Sequence, residues 1–280
     1  MKIISTKADL TSWIKEKQAI KKGLLAFIPT MGALHNGHAS LINKAAKECD
    51  YIVVSILVNP TQFGDSSDFD KYPNTLEEDI IIATESGADL IFAPKAEEVY
   101  GGKPIAHHKN WGELTDAFEG KHRPGHFDGV IAVVDRLFNI VDPDRAYFGE
   151  KDLQQVAIVR RLVKEGRYKA KIISCKLIRD ENGLALSSRN KRLSKSGINS
   201  ALLLSQSLFQ AAKDIKAGVS TEESLKTARK TLSDSEHVKL EYISGVNDNT
   251  FNPEEVHSNW THIIVAADVE GVRLIDNIIL

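Results

Sequence analysis

Two histidines three residues apart, His35 and His38, stand where an apolar run meets a helical pattern. The run is Leu24-Leu25-Ala26-Phe27-Ile28, and the helical pattern covers Ala39 to Glu48. Between them lies Pro29-Thr30-Met31-Gly32-Ala33-Leu34-His35-Asn36-Gly37-His38. A strand that turns through glycines into a helix leaves unpaired backbone N–H groups beyond the sheet edge, and such a helix start attracts phosphate. Residues at i and i+3 share a helical face, so both imidazoles reach the same place. The chemistry implied is that of nucleotide phosphates. Two other readings are weaker. A metal site needs a third ligand, and no local Cys, His or Asp cluster completes one. A P-loop carries Lys and Ser or Thr after its second glycine, whereas this chain has His38 and Ala39, so the cation that grips the β- and γ-phosphates is missing.

Three further stretches carry residue types suited to the same task. Gly149-Glu150-Lys151-Asp152 follows Ala146-Tyr147-Phe148, which places it at the carboxyl end of a second parallel strand, the edge where open α/β sheets bind ligands. Lys151 offers a compact charge for phosphate or departing pyrophosphate. Gly149 and Asp152 are placed to contact ribose and backbone, with Asp152 also a candidate N-cap. Ser187-Ser188-Arg189 combines hydroxyls with a guanidinium, a set suited to phosphate oxygens on a mobile basic loop. Arg192-Leu193-Ser194-Lys195-Ser196 resembles the KMSKS loop of class I aminoacyl-tRNA synthetases more literally, but Ser194 is better explained as the start of a helix. Gln62 and Gln155 both donate and accept hydrogen bonds, as a hydroxy acid requires. Asn59 is expected to order the turn after its strand.

Taken together, Pro29-Thr30-Met31-Gly32-Ala33-Leu34-His35 with Gly37-His38, Val58-Asn59-Pro60-Thr61-Gln62-Phe63, Tyr72-Pro73-Asn74-Thr75 through Asp79, Arg123-Pro124-Gly125-His126-Phe127, Phe148 to Gln155, and Leu186 to Asn190 occur in one order from residue 28 to 190. They resemble the motifs of the pantoate–β-alanine ligases, within the HxGH nucleotidylyltransferase-like enzymes. Asn74 departs from that pattern, which has arginine there, and this puts one supporting ion pair in doubt. Arg273-Leu274-Ile275-Asp276-Asn277 also looks familial. The resemblance implies that ATP and (R)-pantoate form pantoyl adenylate with loss of pyrophosphate, and that β-alanine then displaces AMP to give pantothenate. It implies an ATP site of Met31, Gly32, His35, Gly37, His38, Gly149, Lys151, Asp152, Ile178, Leu186, Ser187, Ser188 and Arg189. His38 would contact the transferring phosphate, with proton donation one route, His35 would orient the phosphates, and Lys151 completes the catalytic set. Pantoate and β-alanine would meet Gln62, Gln155, Met31 and Asn59. Mg²⁺ is expected to travel with ATP, with Asp79, and Glu78 as a weaker candidate, assisting it or its waters. A homodimer through the first domain is implied as well. Two rivals are a nucleotidylyltransferase whose conjugate is the final product, against which Gln62 and Gln155 argue, and a noncatalytic nucleotide-binding module, which would not need Lys151 or His38.

The elements that must hold these residues alternate. Strand candidates are Leu24–Pro29, Tyr51–Val58, Asp89–Ala93, Arg145–Phe148 and Lys171–Ile178, with helical patterns near 39–48, 75–86, 128–140 and 152–165. Short, continuously apolar strands between helices predict a doubly wound parallel, Rossmann-like α/β sheet. An earlier helix from Lys7 to Lys21 is expected to end at Gly23 as its C-cap. After residue 180 the pattern changes to helices at 195–216 and 221–233 and three strands, Val238–Val246, Thr261–Val269 and Val272–Leu280, the last two joined by a tight turn at Glu270-Gly271. This predicts a first domain over 1–179 and a smaller C-terminal α+β domain over 180–280. The 280 residues carry a net charge of −2, which argues against a nucleic-acid partner. No apolar run is long enough to span a membrane, and the first residues show no signal-peptide pattern, so a cytoplasmic protein with reduced Cys49 and Cys175 is expected.

Overall fold

The structure is a computed structural model that describes residues 1–64, 69–70 and 72–280. Its centre is a six-stranded sheet of β1 (Lys2–Ile4), β2 (Leu25–Thr30), β3 (Tyr51–Ile56), β4 (Leu90–Phe92), β5 (Arg145–Gly149) and β6 (Lys171–Cys175). The spatial order is β1-β4-β3-β2-β5-β6, and every ladder is parallel. Parallel neighbours need crossovers, and the long helices supply them: α1 (Lys7–Ile20), α2 (Asn36–Glu48), α3 (Leu76–Glu85), α4 (His126–Val141) and α5 (Leu153–Gly166). Residues 25 to 28 of β2 are at most 2% exposed because both faces of the sheet are covered. Leu25 and Phe27 pack with Leu10 and Trp13 of α1, Phe138 of α4 and Ile158 of α5. Ala26 and Ile28 pack on the other face with Leu41 and Ile42 of α2 and Ala83 of α3. A strand buried on both faces reads as an unbroken apolar run, which is why the sequence revealed it.

The strand order reverses between β2 and β5, which are hydrogen-bonded neighbours. At such a reversal the connections leave in opposite directions and open a crevice beyond the carboxyl ends. The loop after β2 carries His35 and His38, and the turn after β5 carries Lys151. The fold therefore brings together two motifs more than a hundred residues apart.

The C-terminal part has α6 (Lys195–Lys216), α7 (Thr221–Ser233) and an antiparallel sheet β7-β8-β9 (Val238–Val246, His262–Val269, Val272–Ile279). Ser194 caps α6, its hydroxyl accepting from Gly197 N–H at 3.1 Å. Glu270 and Gly271 have φ of 54° and 77°, the two positive angles of a type I′ hairpin. Leu204, Leu208, Leu232, Ile243 and Val265 form a separate core here. Val246, Phe251 and Ile264 instead join the core of the large sheet.

Several expectations need correction. The β1 strand was not anticipated; its three residues are too few to show a period. Gly23 does not cap α1, whose C-cap Lys21 is extended. Its lack of a side chain instead admits Asp50, whose Cβ would lie 2.6 Å from an added Cβ. The third strand stops at Ile56 rather than Val58, and β6 stops at Cys175 rather than Ile178. The chain then forms a small hairpin in which Arg179 bridges Ala185.

Candidate active site

The loop that leaves β2 is fixed before it reaches the histidines. The Thr30 hydroxyl donates to Ser55 O (2.7 Å) and accepts from Gly32 N–H (3.1 Å). Gly32 and Ala33 both take positive φ, 81° and 50°, which turns the chain out of the sheet. Beneath this turn lies Asp79 of α3, 1% exposed. It accepts from Ala33 N–H at 3.0 Å, from Leu34 N–H at 2.6 Å and from the Thr75 hydroxyl at 3.3 Å. Burial raises its pKa, and these hydrogen bonds oppose that rise. The expectation that Asp79 assists a metal is therefore corrected. Both its oxygens serve the loop, and neither Asp79 nor Gly32 lines the cavity described below. A Cβ on Gly32 would stand 2.9 Å from Asp79 Oδ2.

His35 is the N-cap of α2, and its Nδ1 accepts from Gly37 N–H at 3.1 Å. His38 returns the arrangement: its Nδ1 accepts from His35 N–H at 3.3 Å. This is a capping box built from two imidazoles instead of a hydroxyl and a carboxylate. The rings lie 4.2 Å apart between centroids. A ring nitrogen that accepts carries no proton, so each neutral ring presents its proton on Nε2. Burial, then Lys151, lowers the pKa of His35 to about 4. Burial, then His35, lowers that of His38 to about 3. Both are neutral N–H donors at neutral pH.

The histidines open onto a cavity of about 210 Å³. It is lined by Met31, His35, Gly37, His38, Asn59, Gln62, Gly149, Lys151, Asp152, Gln155, Ile178, Leu186, Ser187, Ser188 and Arg189, so the structure brings together every expected site residue except Gly32, Asp79 and the weaker metal candidate Glu78. Lys151 Nζ donates to Asp152 Oδ1 at 3.0 Å. Asp152 occupies the N-cap position of α5 but makes no capping bond, its carboxylate being turned to Lys151 instead. Ser187 and Arg189 begin a 3-10 turn, Ser188–Arg192, in which Ser187 Oγ accepts from Arg189 N–H at 3.3 Å.

The two amides differ in how they are held. Gln62 Oε1 accepts from Asn59 Nδ2 at 3.0 Å, and Gln62 Nε2 lies 3.2 Å from Met31 Sδ. Its donor end is thereby fixed toward the cavity. Asn59 is 1% exposed, and its amide is also bonded to Gly129 O and the Tyr100 hydroxyl. Asn59 thus orients Gln62, with its own amide bonded within the protein. Gln155 faces the cavity, whereas its neighbour Gln154 is buried, bonded to Glu119 N–H and to the carbonyls of Leu114 and Ala117. The Pro60–Gln62 turn sits tightly on α4: a Cβ on Gly129 would lie 2.3 Å from Thr61 O.

Sequence reasoning missed part of the lining. Leu57 with Val130, Val133, Val134 and Leu137 forms an apolar wall, four of the five from one stripe of α4. Their i, i+3, i+4, i+7 spacing was a visible signal, but it reads equally as core. Arg123, His126, Tyr72 and Lys176 also line the cavity. The C-terminal sheet contributes as well. Asn277 Nδ2 donates to the carbonyls of Glu150 and Lys151 at 2.7 and 3.2 Å. Arg273 forms two 2.6 Å bonds to Glu119 and also binds Glu241, while the Tyr242 hydroxyl donates to Glu119 at 2.6 Å. A second cavity of about 270 Å³ lies along this contact. Among the described residues no group of three or more His, Cys, Asp or Glu could hold a metal ion. Among them, too, no helix is long and apolar enough to cross a membrane.

Residues 2–279 match the profile of the family described as pantoate-beta-alanine ligase. A pantothenate synthetase of Acetivibrio thermocellus is 41% identical, the match covering 100% of this chain and 99% of that protein. One from Aquifex aeolicus is 44% identical over 96% of this chain and 95% of its own. Among solved structures, the pantothenate synthetase of Thermus thermophilus superposes with a TM-score of 0.91 at 39% identity, covering 99% of both chains. The pantoate-beta-alanine ligase of Francisella tularensis, solved in complex with beta-gamma ATP and beta-alanine, gives a TM-score of 0.83 at 38% identity, covering 100% of this chain and 97% of that one.

Proposed function

The chain belongs to the pantoate–β-alanine ligase family and catalyses the ATP-dependent condensation of pantoate with β-alanine to pantothenate, and we propose that it does so through a pantoyl adenylate formed in the cavity of His35 and His38. The observation that carries this reading is the meeting, in one cavity at the β2/β5 reversal, of a helix start bearing two neutral imidazoles with two primary amides and an apolar wall. The first element suits the phosphates of ATP. The amides suit the carboxylate and hydroxyls of pantoate, and the wall of Leu57, Val130, Val133 and Val134 suits its geminal methyl groups.

In the first step a pantoate carboxylate oxygen bonds to the α-phosphorus, and the bond to the pyrophosphate oxygen breaks. Negative charge grows on oxygens that face the Nε2–H groups of His35 and His38, the α2 start and Lys151. Preorganised donors of this kind act on the transition state without reorganising at the moment of reaction. In the second step the neutral amine of β-alanine bonds to the acyl carbon, the acyl–oxygen bond breaks, and AMP leaves with the electron pair while the amine loses a proton. Gln62 Nε2, its acceptor end tied to Asn59, supports a role as donor to pantoate. The donor set fits a Mg²⁺ that arrives bound to the triphosphate: Asp79 is spent on the loop, and Asp152 is paired with Lys151. The ion's contribution is charge neutralisation of the phosphates. We read residues 1–179 and 180–280 as two domains, and a cytoplasmic homodimer as the working form; light scattering of the purified protein decides the oligomeric state.

The deciding experiment is a single-turnover pyrophosphate assay with ATP, Mg²⁺ and pantoate alone. A burst of about one equivalent, followed by sustained AMP and pantothenate on adding β-alanine, is expected for an adenylate route. Pyrophosphate release that requires β-alanine from the start would defeat it. Lys151→Ala and His38→Ala are each expected to slow the burst by about 10²–10³-fold, as loss of a transition-state donor does.

A further inference from the structure

The adenylate route leaves one charge unassigned. The second substrate brings a carboxylate, separated from its amine by two methylene groups, and a buried carboxylate needs a cation. His35, His38, Lys151 and Arg189 gather at the phosphate end. Arg123 lines the same cavity but enters it from a different turn, one whose motif was visible in the sequence but received no role. Its Nη1 donates to His126 Nε2 at 3.0 Å. His126 Nδ1 lies 2.9 Å from the backbone carbonyl of Gln62. A carbonyl only accepts, so the proton is on Nδ1 and Nε2 is the acceptor for Arg123. The imidazole is 7% exposed and neutral, burial being the main cause. Arg123 is thus tied through one rigid ring to the residue whose amide faces pantoate.

The charge around Arg123 is loosely balanced. Glu119 Oε2 is 3.9 Å away, and that carboxylate is already held by both arms of Arg273 and by Tyr242. Arg123 lines the main cavity and also the two spaces between it and the C-terminal sheet. A guanidinium with one nitrogen anchored and the rest of its fork at a cavity wall is built for planar, two-point capture of a carboxylate.

We propose that Arg123, set in place by His126, takes the carboxylate of β-alanine and thereby aims its amine at the acyl carbon. The inference rests on the adenylate reading above. The anchor selects a β-amino acid over simple amines, because only a chain with a carboxylate at the right reach gains the ion pair while its amine stands about 3–3.5 Å from the carbon it attacks.

The test is partition of the adenylate, formed from ATP and pantoate, between β-alanine and n-propylamine, an amine of similar basicity without the carboxylate. In Arg123→Gln, kcat/KM for β-alanine is expected to fall about 10²–10³-fold while that for n-propylamine changes by less than about threefold. Arg123→Lys, which keeps the charge but loses the fork, is expected to lie between, and serves if the glutamine variant does not fold. Equal losses for both amines, or no loss for β-alanine, would overturn the assignment. Absence of a pyrophosphate burst in the unaltered protein would instead overturn the adenylate reading, so the two failures are separable.

Discussion

At the scale of single residues the site works by holding groups in one protonation state and one orientation. An ordinary histidine titrates near 6.5, but His35 and His38 are lowered to about 4 and about 3. Their charge therefore does not change across the neutral range, and the Nε2–H donors stay in place. The nucleophile of the second step behaves oppositely, since an alkyl amine is protonated and inert until the pH approaches about 10. The pyrophosphate burst is accordingly expected to be flat between about pH 6 and 9, while kcat/KM for β-alanine falls about tenfold per pH unit as the solution is acidified. A burst that instead titrates with a midpoint near the ordinary histidine value would show that an imidazolium does the work. Asn59 offers a second residue-scale prediction. It holds Gln62 Oε1 at 3.0 Å, and its own amide is also bonded to Gly129 O and the Tyr100 hydroxyl. Asn59→Ala should raise the pantoate KM about tenfold and leave that for ATP unchanged, and combined with Gln62→Ala it should add nothing, because both changes remove one coupled interaction. Additive effects on the pantoate KM would mean that Asn59 contacts the substrate itself.

At the scale of elements, the strand–loop–helix unit from β2 to α2 is held from below by α3. Asp79→Ala would leave the Ala33 and Leu34 amides without acceptors in a buried place, a cost of about 1–3 kcal/mol for each group. Gly32→Ala should damage the same turn from its other side, through a positive φ and a 2.9 Å approach to Asp79 Oδ2. Both are expected to raise the ATP KM more than the pantoate KM, and their unfolding penalties, measured in urea, should be less than additive. If Asp79→Ala unfolds like the unaltered protein, the carboxylate is not what holds the loop. The sequence made this unit legible in part. Leu25 to Ile28 are buried on both faces and so form an unbroken apolar run, and Ser194 and Glu270-Gly271 carry their cap and turn chemistry locally. The acid at 79 was visible too, but not its direction, since the amides it holds, those of Ala33 and Leu34, are 46 and 45 positions away. The hold on Asn59 was hidden for the same reason: its partners Gly129 and Tyr100 are 70 and 41 positions away. The apolar wall of α4 was hidden because a stripe that faces a cavity has the same period as one that faces a core.

At the scale of the whole molecule, the C-terminal sheet is tied to the active site by Asn277 on the Lys151 carbonyl and by Arg273 on Glu119. Glu119 is 7% exposed. Burial alone would push its pKa up, yet Arg273, Tyr242 and Arg123 hold it below the usual carboxylate range. A carboxylate with a depressed folded-state pKa contributes stability above its unfolded value, and that contribution is lost as the pH falls through the folded one. Arg273→Met removes the arginine charge and leaves Glu119 buried and largely uncompensated, a loss of about 3–5 kcal/mol at neutral pH. Without Arg273 the burial effect gains weight, the pKa of Glu119 rises, and the penalty of its charge fades once the group is protonated. The gap in unfolding free energy between the two proteins should therefore be widest near neutral pH and narrow as the solution is acidified, and Glu119→Gln in the same chain should recover much of it. A gap that stays constant with pH, and that Glu119→Gln does not relieve, would mean that Arg273 acts by packing. In the expected case the ion pair is what registers the C-terminal sheet on the large one, and since Asn277 lies on the same strand, the position of Lys151 at the cavity wall depends on it.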